Sequence, residues 1–558
     1  MADDPNADRP AAPSALAPLA RPVFRALWIA ALVSNVGTWM QSVGAVWQIG
    51  TVSGSAALVA LVQTAVSLPI VLLALPAGAA ADVVDRRRLL LATQTWMLLS
   101  AVALCAATLL GLASPAVVLG LTFLLGLGNA ANAPAWQATI PELVGGRLLA
   151  PAVALNSAGF NIGRAIGPAL GGLVVAAAGP AAVFGLNALS YLGVLAVLWR
   201  WRRRPQDELG AGEQVLGAIG AGVRYVRFAP LLRAVLVRTA LFILPASALW
   251  ALLPVVARGR LGLDATGFGL LLGALGIGSV AGAVVLPRLR RAVPIDRRVV
   301  AATCLYALAT VALAVVGSPA LVGLAMVVAG MAWLAILTSF NVATQTAVPR
   351  WVRARALAVY LLVFQGGLAV GSALWGVVAG RVGERTALLA AAASFGLGLL
   401  AALRWRLQGI GALDLTPSVR PEPVTAIDPA PDDGPVLVLI RYRVDPARTE
   451  EFAAAMRAMR RVRRRDGAYR WGLFEDVADP GCFVETYVVR SWAEHLRQHE
   501  RFTAEDLAVR DRIRTFHVGD DPPTVSHFIH PDAAMTQRRW VRWARRRQGE
   551  LVQADDDY

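Results

Sequence analysis

The sequence predicts an all-α membrane protein with twelve transmembrane helices in two pseudo-symmetric six-helix bundles, followed by a small α+β domain. Of the 558 residues, 56% are hydrophobic, and the mean hydropathy of +0.56 lies far above the average of soluble proteins. Apolar stretches of about 20 residues, long enough to cross a bilayer, recur along the chain up to residue 405. The first six stretches and the last six also share a pattern of residues, which indicates an internal repeat.

The predicted helices form two groups of six. The first group, 21–200, has helices near 24–49, 56–80, 89–111, 115–138, 150–176 and 180–199. The second group, 231–405, has helices near 232–257, 265–287, 297–316, 319–345, 355–379 and 384–405. Between them, in 201–230, apolar residues recur at spacings of three and four from Leu216 to Val226. That spacing predicts a cytoplasmic linker with an amphipathic helix on the membrane surface.

The distribution of arginine predicts the orientation. The net charge is +16 and the chain contains no lysine. The arginines are concentrated in loops after the even-numbered helices, which is typical of cytoplasmic loops and argues against nucleic acid as a partner. We therefore expect a multi-pass protein of the plasma (inner) membrane, with the lipid bilayer as its surroundings and both termini in the cytoplasm. Residues 1–20, rich in Pro, Ala and Asp, predict a disordered cytoplasmic tail and no cleaved signal peptide.

A shift of 208 residues relates the two groups, as from Gly163 to Gly371 and from Gly172 to Gly380. A repeat of six helices in the same orientation implies a pseudo-two-fold axis along the membrane normal, with a central site between the halves. Such an architecture is suited to alternating access.

The composition changes after the last predicted helix. Residues 406–434, rich in Pro, Asp and Gly, predict a linker, and residues 435–531 predict a small soluble domain. Its predicted strands lie near 436–444, 469–476, 482–490 and 524–529, and its helices near 446–465 and 491–513. This βαββαβ order fits a split-βαβ sandwich. The Arg-rich residues 532–558 predict a solvated or headgroup-facing tail.

A charged motif follows the second predicted helix. Its residues, the predicted gate, are Gly78, Asp82, Asp85, Arg86, Arg87 and Arg88. Gly78 permits a close helix approach, Asp82 can face the positive end of a helix in the other bundle, and the arginines can lock a cytoplasmic gate through ion pairs. The motif resembles the signature of the major facilitator superfamily, whose members have twelve helices in two bundles. Ala80 and Asp85 depart from that signature, and Val293 replaces Asp82 in the second half, so we expect an asymmetric gate.

A glycine-rich stretch lies in the fifth predicted helix. The predicted helix-packing motif consists of Gly163, Gly167, Pro168, Gly171 and Gly172. The glycines recur at helical spacing, so one face has almost no side chains and another backbone can come close. Pro168 removes a backbone donor and bends the helix or makes it locally adjustable. The stretch resembles the fifth-helix signature of the superfamily's antiporters, which implies export in exchange for protons.

Two further stretches resemble one branch of the superfamily. Residues 35–41, N-V-G-T-W-M-Q, and 132–137, N-A-P-A-W-Q, are similar to the enterobactin-exporter or transmembrane secretion effector branch. The resemblance covers residues 20–405. It implies a secondary transporter, not an enzyme, that exports a small organic molecule, siderophore-like or drug-like. The alternative is that the protein imports its cargo.

Arg164 places a permanent cation inside an apolar helix, where a charge is costly and indicates function. The predicted spans contain no Asp or Glu near mid-depth that would pair with it. Two interpretations stay open at this point. Arg164 contacts an anionic cargo or a water-filled cavity, or it has a structural role in assembly.

Polar and aromatic residues of several helices form the candidate substrate path for a small-molecule substrate. They are Asn35, Trp39, Gln41, Asn132, Arg164, Asn341 and Gln365. Each amide alternatively bonds to a neighbouring helix. The tryptophans, among them Trp39 and Trp333, either stack on an aromatic cargo or lie at the membrane interface. For proton coupling the candidate groups are Asp82 and Glu142, although their position at the cytoplasmic edge favours gating over titration.

The last domain resembles the ferredoxin-like domain of the antibiotic biosynthesis monooxygenase group, at Arg441-Tyr-Arg and from Ser491 to Phe502. That resemblance implies a homodimer through the sheet face. His495 and His499 lie one turn apart, and a solvated helix face is favoured over a metal site. We predict no metal and no cofactor. The alternative function is a membrane-anchored enzyme or sensor with its activity in this domain, for which no nucleophile or cofactor pattern appears.

Overall fold

The structure, a computed structural model, describes residues 14–201, 224–407, 414–418, 425 and 429–530. In this part of the chain, 11 helices are long and apolar enough to cross a membrane. One of them, Leu149–Arg200, has 52 residues and is broken at Gly179, where φ is 79°. Because about 20 residues span the hydrocarbon core, this helix crosses twice, as α5 (149–178) and α6 (180–200). The predicted twelve crossings are confirmed.

The six helices of each bundle follow one another along the chain. The first bundle comprises α1 (Pro22–Ser53), α2 (Ala56–Val83), α3 (Arg86–Leu109), α4 (Pro115–Val144), α5 and α6. The second comprises α7 (Pro230–Gly259), α8 (Ala265–Ala292), α9 (Ile295–Val315), α10 (Pro319–Thr346), α11 (Arg353–Val382) and α12 (Glu384–Arg404). Local chemistry fixes several ends: Gly54 ends α1 at a φ of 60°, and the side chain of Asp264 caps α8 by accepting the N–H of Gly267.

The predicted repeat is visible in the packing inside each bundle. In the first, Gly163 of α5 lies against Asn35 of α1, so closely that a Cβ on the glycine would come within 2.9 Å of the Asn35 Cβ. In the second, Gly371 of α11 lies even closer to Ser247 of α7. Gly163 and Gly371 are the residues that the 208-residue shift superimposes, so the two bundles are built by the same helix contacts.

The described C-terminal residues belong to a second compact unit, which also contains residues 224–234 and 343–357. Its elements are β1 (Val436–Arg443), α13 (Thr449–Asp466), β2 (Arg470–Glu475), β3 (Cys482–Val489), α14 (Trp492–Arg501), α15 (Ala504–Arg514) and β4 (Thr524–Ile529). The strands are antiparallel in the order β2-β3-β1-β4. Val438, Phe452, Met456 and Tyr487 are part of the core that the helices form on one sheet face. This arrangement confirms the predicted split-βαβ sandwich.

Two local expectations need correction. The predicted helix 491–513 is two helices, because Thr503 starts a new one: its side chain accepts the Asp506 N–H while the Asp506 carboxylate accepts the Thr503 N–H. The tail predicted to be disordered contains a short 3-10 helix, Ala17–Ala20, in which Pro18 is buried. Residues 1–13, most of the predicted amphipathic helix (202–223) and the Arg-rich tail from 531 lie outside the described residues.

Candidate functional site

Arg164 lies on α5 with its guanidinium directed toward the second bundle. The guanidinium carbon is 5.6 Å from the centre of the Trp250 ring on α7. The Nε and Nη2 atoms are buried, and among the described residues they have no hydrogen-bond partner. A buried guanidinium without a carboxylate keeps its full capacity to bind an anion. Arg164 thus lies inside a membrane helix, as its sequence position indicates, and its neighbour among the described residues is the aromatic ring of Trp250.

The Trp250 ring belongs to an aromatic cluster of the second bundle. Its rings are those of Phe242, Trp250, Tyr306, Trp333, Tyr360, Phe364 and Phe395. Trp333 is central: its ring centre is 5.4 Å from that of Trp250 and 5.8 Å from that of Tyr306. These separations are typical of favourable ring pairs. The sequence analysis named only Trp333 of this cluster, because the other rings come from helices far apart in the chain.

The first bundle contains a polar cavity of about 60 Å³ between α1, α2, α4 and α6. Its polar lining residues are Thr38, Gln41, Ser42, Thr122, Asn129, Asn187 and Tyr191. Gln41 accepts a short hydrogen bond from the Asn187 amide, so the predicted path residue Gln41 has a helix partner and also faces the cavity. Asn187 and Tyr191 were missed. Their positions four apart on α6 were the available signal, since such residues share a helix face.

The other predicted path residues are dispersed. The Asn132 side-chain oxygen accepts hydrogen bonds from Thr93 and Gln94, at 3.1 and 3.3 Å, which ties α4 to α3. Asn35 and Trp39 lie on α1 where α5 packs, and the Trp39 ring meets Phe160 edge-on at 6.3 Å. Asn341 and Gln365 are half-buried on α10 and α11.

The glycines of the packing motif face two helices. Toward α1, a Cβ on Gly167 would lie 2.6 Å from the Trp39 Cβ, and one on Gly171 would lie 2.8 Å from the Met40 Cα. Toward α8, Gly172 meets the Ala265 carbonyl, and the Pro168 carbonyl would lie 2.5 Å from a Cβ on Gly269. The motif thus packs within its own bundle and also against the other bundle, as a face without side chains permits.

Several close contacts between the bundles lie at one end of the molecule. Gly172 and Ala265 lie near the α5–α6 and α7–α8 connections, while Gly376 of α11 packs on Ala57 at the start of α2. Ala57 and Ala265 are again 208 residues apart. The two bundles are therefore in contact at the end that carries the α1–α2, α5–α6, α7–α8 and α11–α12 connections.

The predicted gate is described in part. Gly78 and Asp82 lie in α2, and their surroundings are outside what the structure describes. Asp85 caps α3 by accepting the Arg88 N–H at 2.9 Å. Arg86 pairs with Glu142 of α4 at 2.5 Å, and Arg87 donates to the carbonyls of Leu198 and Trp199 on α6, at 2.9 and 2.8 Å. The described contacts of Arg86 and Arg87 join α3 to α4 and α6, which are helices of the first bundle.

The C-terminal domain holds a buried polar cluster. Glu485 accepts from Arg463 at 3.1 Å, from Trp471 at 3.0 Å and from Tyr442 at 3.3 Å, and the ion pair with Arg463 is almost fully buried. His495 is also buried, with both ring nitrogens unpartnered among the described residues, so the prediction of a solvated face is wrong for it. Burial, with the positive charges of His527, His499 and Arg463, lowers the pKa of His495 to about 3.

The three histidines of this cluster are close together. The His495 ring centre is 4.9 Å from that of His499 and 4.7 Å from that of His527. Within the described residues no group of three or more His, Cys, Asp or Glu side chains is arranged to hold a metal ion.

Comparison with known proteins gives one family. The profile of the family described as "Transmembrane secretion effector" matches residues 13–536. The multidrug efflux pump Tap of Mycolicibacterium fortuitum is 28% identical over 376 residues, which are 65% of this chain and 90% of Tap. The enterobactin exporter EntS of Salmonella paratyphi A is 27% identical over 385 residues, 68% of this chain and 90% of EntS. The staphyloferrin A transporter of Staphylococcus aureus is 33% identical over 164 residues, 29% of this chain and 41% of that protein.

Solved structures show the same fold. A variant of the nucleoside transporter NupG has a TM-score of 0.57 at 15% identity, covering 69% of this chain and all 100% of NupG. A bacterial homologue of the human lysosomal transporter Spinster, inward-facing and unoccupied, has a TM-score of 0.55 at 15% identity, covering 69% of this chain and 98% of that one. These matches and the relatives confirm a multi-pass transporter of the major facilitator fold, and not an enzyme.

Proposed function

The chain belongs to the transmembrane secretion effector family of transporters, and we propose that its cargo is a small organic anion that carries an aromatic ring. One observation carries this proposal: the Arg164 guanidinium, whose Nε and Nη2 atoms are buried and have no hydrogen-bond partner in the described part of the chain, lies beside Trp250 of the aromatic cluster. A carboxylate or phenolate satisfies the guanidinium, and a ring attached to it stacks on the tryptophans. The printed names of two relatives, an efflux pump and an exporter, support export as the direction.

The proposed orientation places both termini in the cytoplasm. The end at which the bundles meet carries few arginines, whereas Arg86, Arg87, Arg88 and Arg147 lie near the opposite end. By the positive-inside rule, the end at which these contacts lie is then the outer one. We also place the protein in the inner membrane, as proposed from the sequence.

We also propose that transport is coupled to protons. The support is the glycine motif, which resembles the signature of the superfamily's antiporters. In the described membrane helices, carboxylates such as Glu142, Asp296 and Glu384 lie near helix ends. Glu142, one of the two candidates named from the sequence, forms an ion pair with Arg86 that joins α4 to α3. Asp82 is the second candidate, on sequence position alone.

Inverted membrane vesicles test cargo class and coupling together. We would compare accumulation of labelled salicylate, which has a ring and a charge, with salicylamide, which lacks the carboxylate, and succinate, which lacks the ring. We expect salicylate to accumulate, more strongly with an imposed pH gradient. Equal uptake of salicylamide would contradict the role of Arg164, and uptake indifferent to the gradient would remove proton coupling. Accumulation in right-side-out vesicles only would establish an importer.

The outer face of the C-terminal sheet supports the proposed homodimer. Val438 and Ile440 point into the core, so Leu437 and Leu439 face the other side. Leu437 is paired in register with Val488 and Phe528, and Phe528 is 52% exposed. An apolar open sheet face of this kind is typical of an interface. Leu439→Glu should convert a crosslinkable dimer to monomer, and an unchanged crosslinking pattern would refute this interface.

A further inference from the structure

The second compact unit contains two segments that continue into membrane helices. Residues 224–228 are helical, and α7 begins just after them at Pro230. Residues 343–357 comprise the end of α10, the connection that contains Trp351, and the start of α11. Both segments contact the C-terminal domain inside this unit. The domain therefore touches the chain at the points where it enters α7 and passes from α10 to α11.

The contacts combine aromatic rings with arginines. Tyr225 is only 2% exposed, and the Arg465 guanidinium lies 5.5 Å from its ring centre. The Arg501 guanidinium lies 4.5 Å from the Trp351 ring. The Tyr225 and Trp351 rings meet edge to face at 5.8 Å. Such cation–π and ring contacts are stronger when desolvated, so both segments are held by the domain and by each other.

Carboxylates of the domain fix these arginines in advance. Arg465 pairs with Asp466 and with Asp506, both at 2.7 Å. Arg501 donates to Glu494 at 2.8 Å and to the Asp466 carbonyl at 2.9 Å. These bonds engage Nε and Nη2 of Arg465 and Nη1 of Arg501, and they leave the flat faces of both guanidiniums for contact with rings.

A direct ion pair completes the contact. Arg224 donates to Glu494 at 3.2 Å, and Glu494 also binds Arg497 and Arg501. We call the surface formed by Arg465, Glu494 and Arg501 the docking surface. It contacts one segment through Arg224 and Tyr225 and the other through Trp351.

We propose that the C-terminal domain is a clamp: its docking surface holds the start of α7 and the α10–α11 connection together, so that these helix ends move as one body during transport. Alternating access in this architecture is largely a rocking of one bundle against the other. Such rocking is efficient when the helices of a bundle keep their mutual positions. The consequence for transport rests on the proposed function, whereas the docking itself does not.

Substitutions on the segment side test the clamp without disturbing the folded domain. Tyr225→Ala combined with Trp351→Ala removes both rings and leaves every charge of the docking surface in place. Trp199→Ala is the matched control, since Trp199 is 77% exposed. In full-length protein in nanodiscs, hydrogen exchange of residues 224–228 and 348–355 should accelerate at least tenfold in the double variant only. Uptake of salicylate into inverted vesicles should fall several-fold at equal membrane levels.

The conservative pair Tyr225→Phe and Trp351→Phe keeps the ring faces and should retain slow exchange and transport. Unchanged exchange in the alanine variant would show that the docking surface does not hold the segments. If the alanine variant showed faster exchange but transported at the parental rate, the domain would dock on the segments without acting as a clamp. If the parent chain transports no salicylate, the proposed cargo fails, and the exchange rates still decide whether docking occurs.

Discussion

The Arg164 guanidinium of α5 lies 5.6 Å from the Trp250 ring centre of α7, so a cation of the first bundle meets an aromatic cluster of the second. The relationship crosses the interface that must rearrange during alternating access. A ligand that bridges the cation and the rings would therefore bind differently in the two states. Differential binding of that kind is what couples a cargo to a conformational change.

Arg164→Gln should lower salicylate uptake into inverted vesicles at least tenfold. The substitution removes the charge and leaves a shorter, neutral polar side chain, and about 1.4 kcal/mol of lost binding corresponds to a factor of ten. Arg164→Lys should retain part of the activity, because a point charge remains without the planar fork. Membrane levels are checked by immunoblot. Parental uptake by the Gln variant would show that the cation is dispensable.

Gly167→Ala should arrest transport, whereas Gly193→Ala should not. A Cβ at position 167 would lie 2.6 Å from the Trp39 Cβ and 2.9 Å from the Val36 carbonyl, while one at position 193 would meet nothing within 4 Å. Both residues are helical glycines in the first bundle, so helix propensity changes equally. The measurement is initial uptake rate at matched expression. Normal turnover of the Gly167 variant would refute the packing argument.

Hydropathy and spacing were enough to predict the helices and the glycine face, because these depend on residues near one another in the chain. The repeat was found by comparing the two halves of the sequence. The surroundings of Arg164 were not predictable in this way, since the aromatic cluster to which its neighbour Trp250 belongs is drawn from α7, α9, α10, α11 and α12. The repeat also predicted a close helix contact at one position that has none among the described residues. Gly380 aligns with Gly172, yet a Cβ on Gly380 would meet nothing within 4 Å, because sequence symmetry does not reproduce every contact.

His495 shows the same limit in the C-terminal domain. A histidine pair one turn apart is typical of an exposed helix face, and only the sheet packed beneath α14 decides that His495 is inside. Its neighbour His527 comes from β4, which is some thirty residues further along the chain.

Asp296→Asn should destabilise the second bundle. Asp296 pairs with Arg238, whose side chain is only 3% exposed, and accepts the Leu407 N–H at 3.0 Å. It thereby ties the start of α9 to α7 and to the end of α12. Removing its charge leaves a buried guanidinium uncompensated, which costs about 3 kcal/mol. Thermal denaturation in detergent should show a clear decrease in midpoint.

Asp264→Asn is the control for that experiment. Asp264 is exposed and caps α8, and asparagine is an equally good cap. The same chemical change should therefore leave the midpoint unaltered. Equal midpoints for both variants would show that the buried ion pair with Arg238 contributes no stability.

The C-terminal domain should lose stability as the pH falls below about 6.5, and His495 should be a main cause. Its pKa is about 3 in the folded protein and about 6.5 in an unfolded chain. Between these values the unfolded chain binds a proton that the folded one does not, so stability falls by about 1.4 kcal/mol per pH unit. Burial also lowers the pKa of His527, which adds a further loss of stability as the pH falls.

The variant His495→Leu should weaken this pH dependence. The stability of the domain is measured in urea titrations of the full-length protein, in which proteolysis reports the unfolded fraction of the domain. At pH 7 the variant should be at least as stable as the parent, because it replaces a fully buried polar ring by an apolar side chain. Replacement of the exposed His530 by leucine should leave the slope unchanged. An equally steep slope in the His495 variant would show that this histidine is protonated in the folded domain.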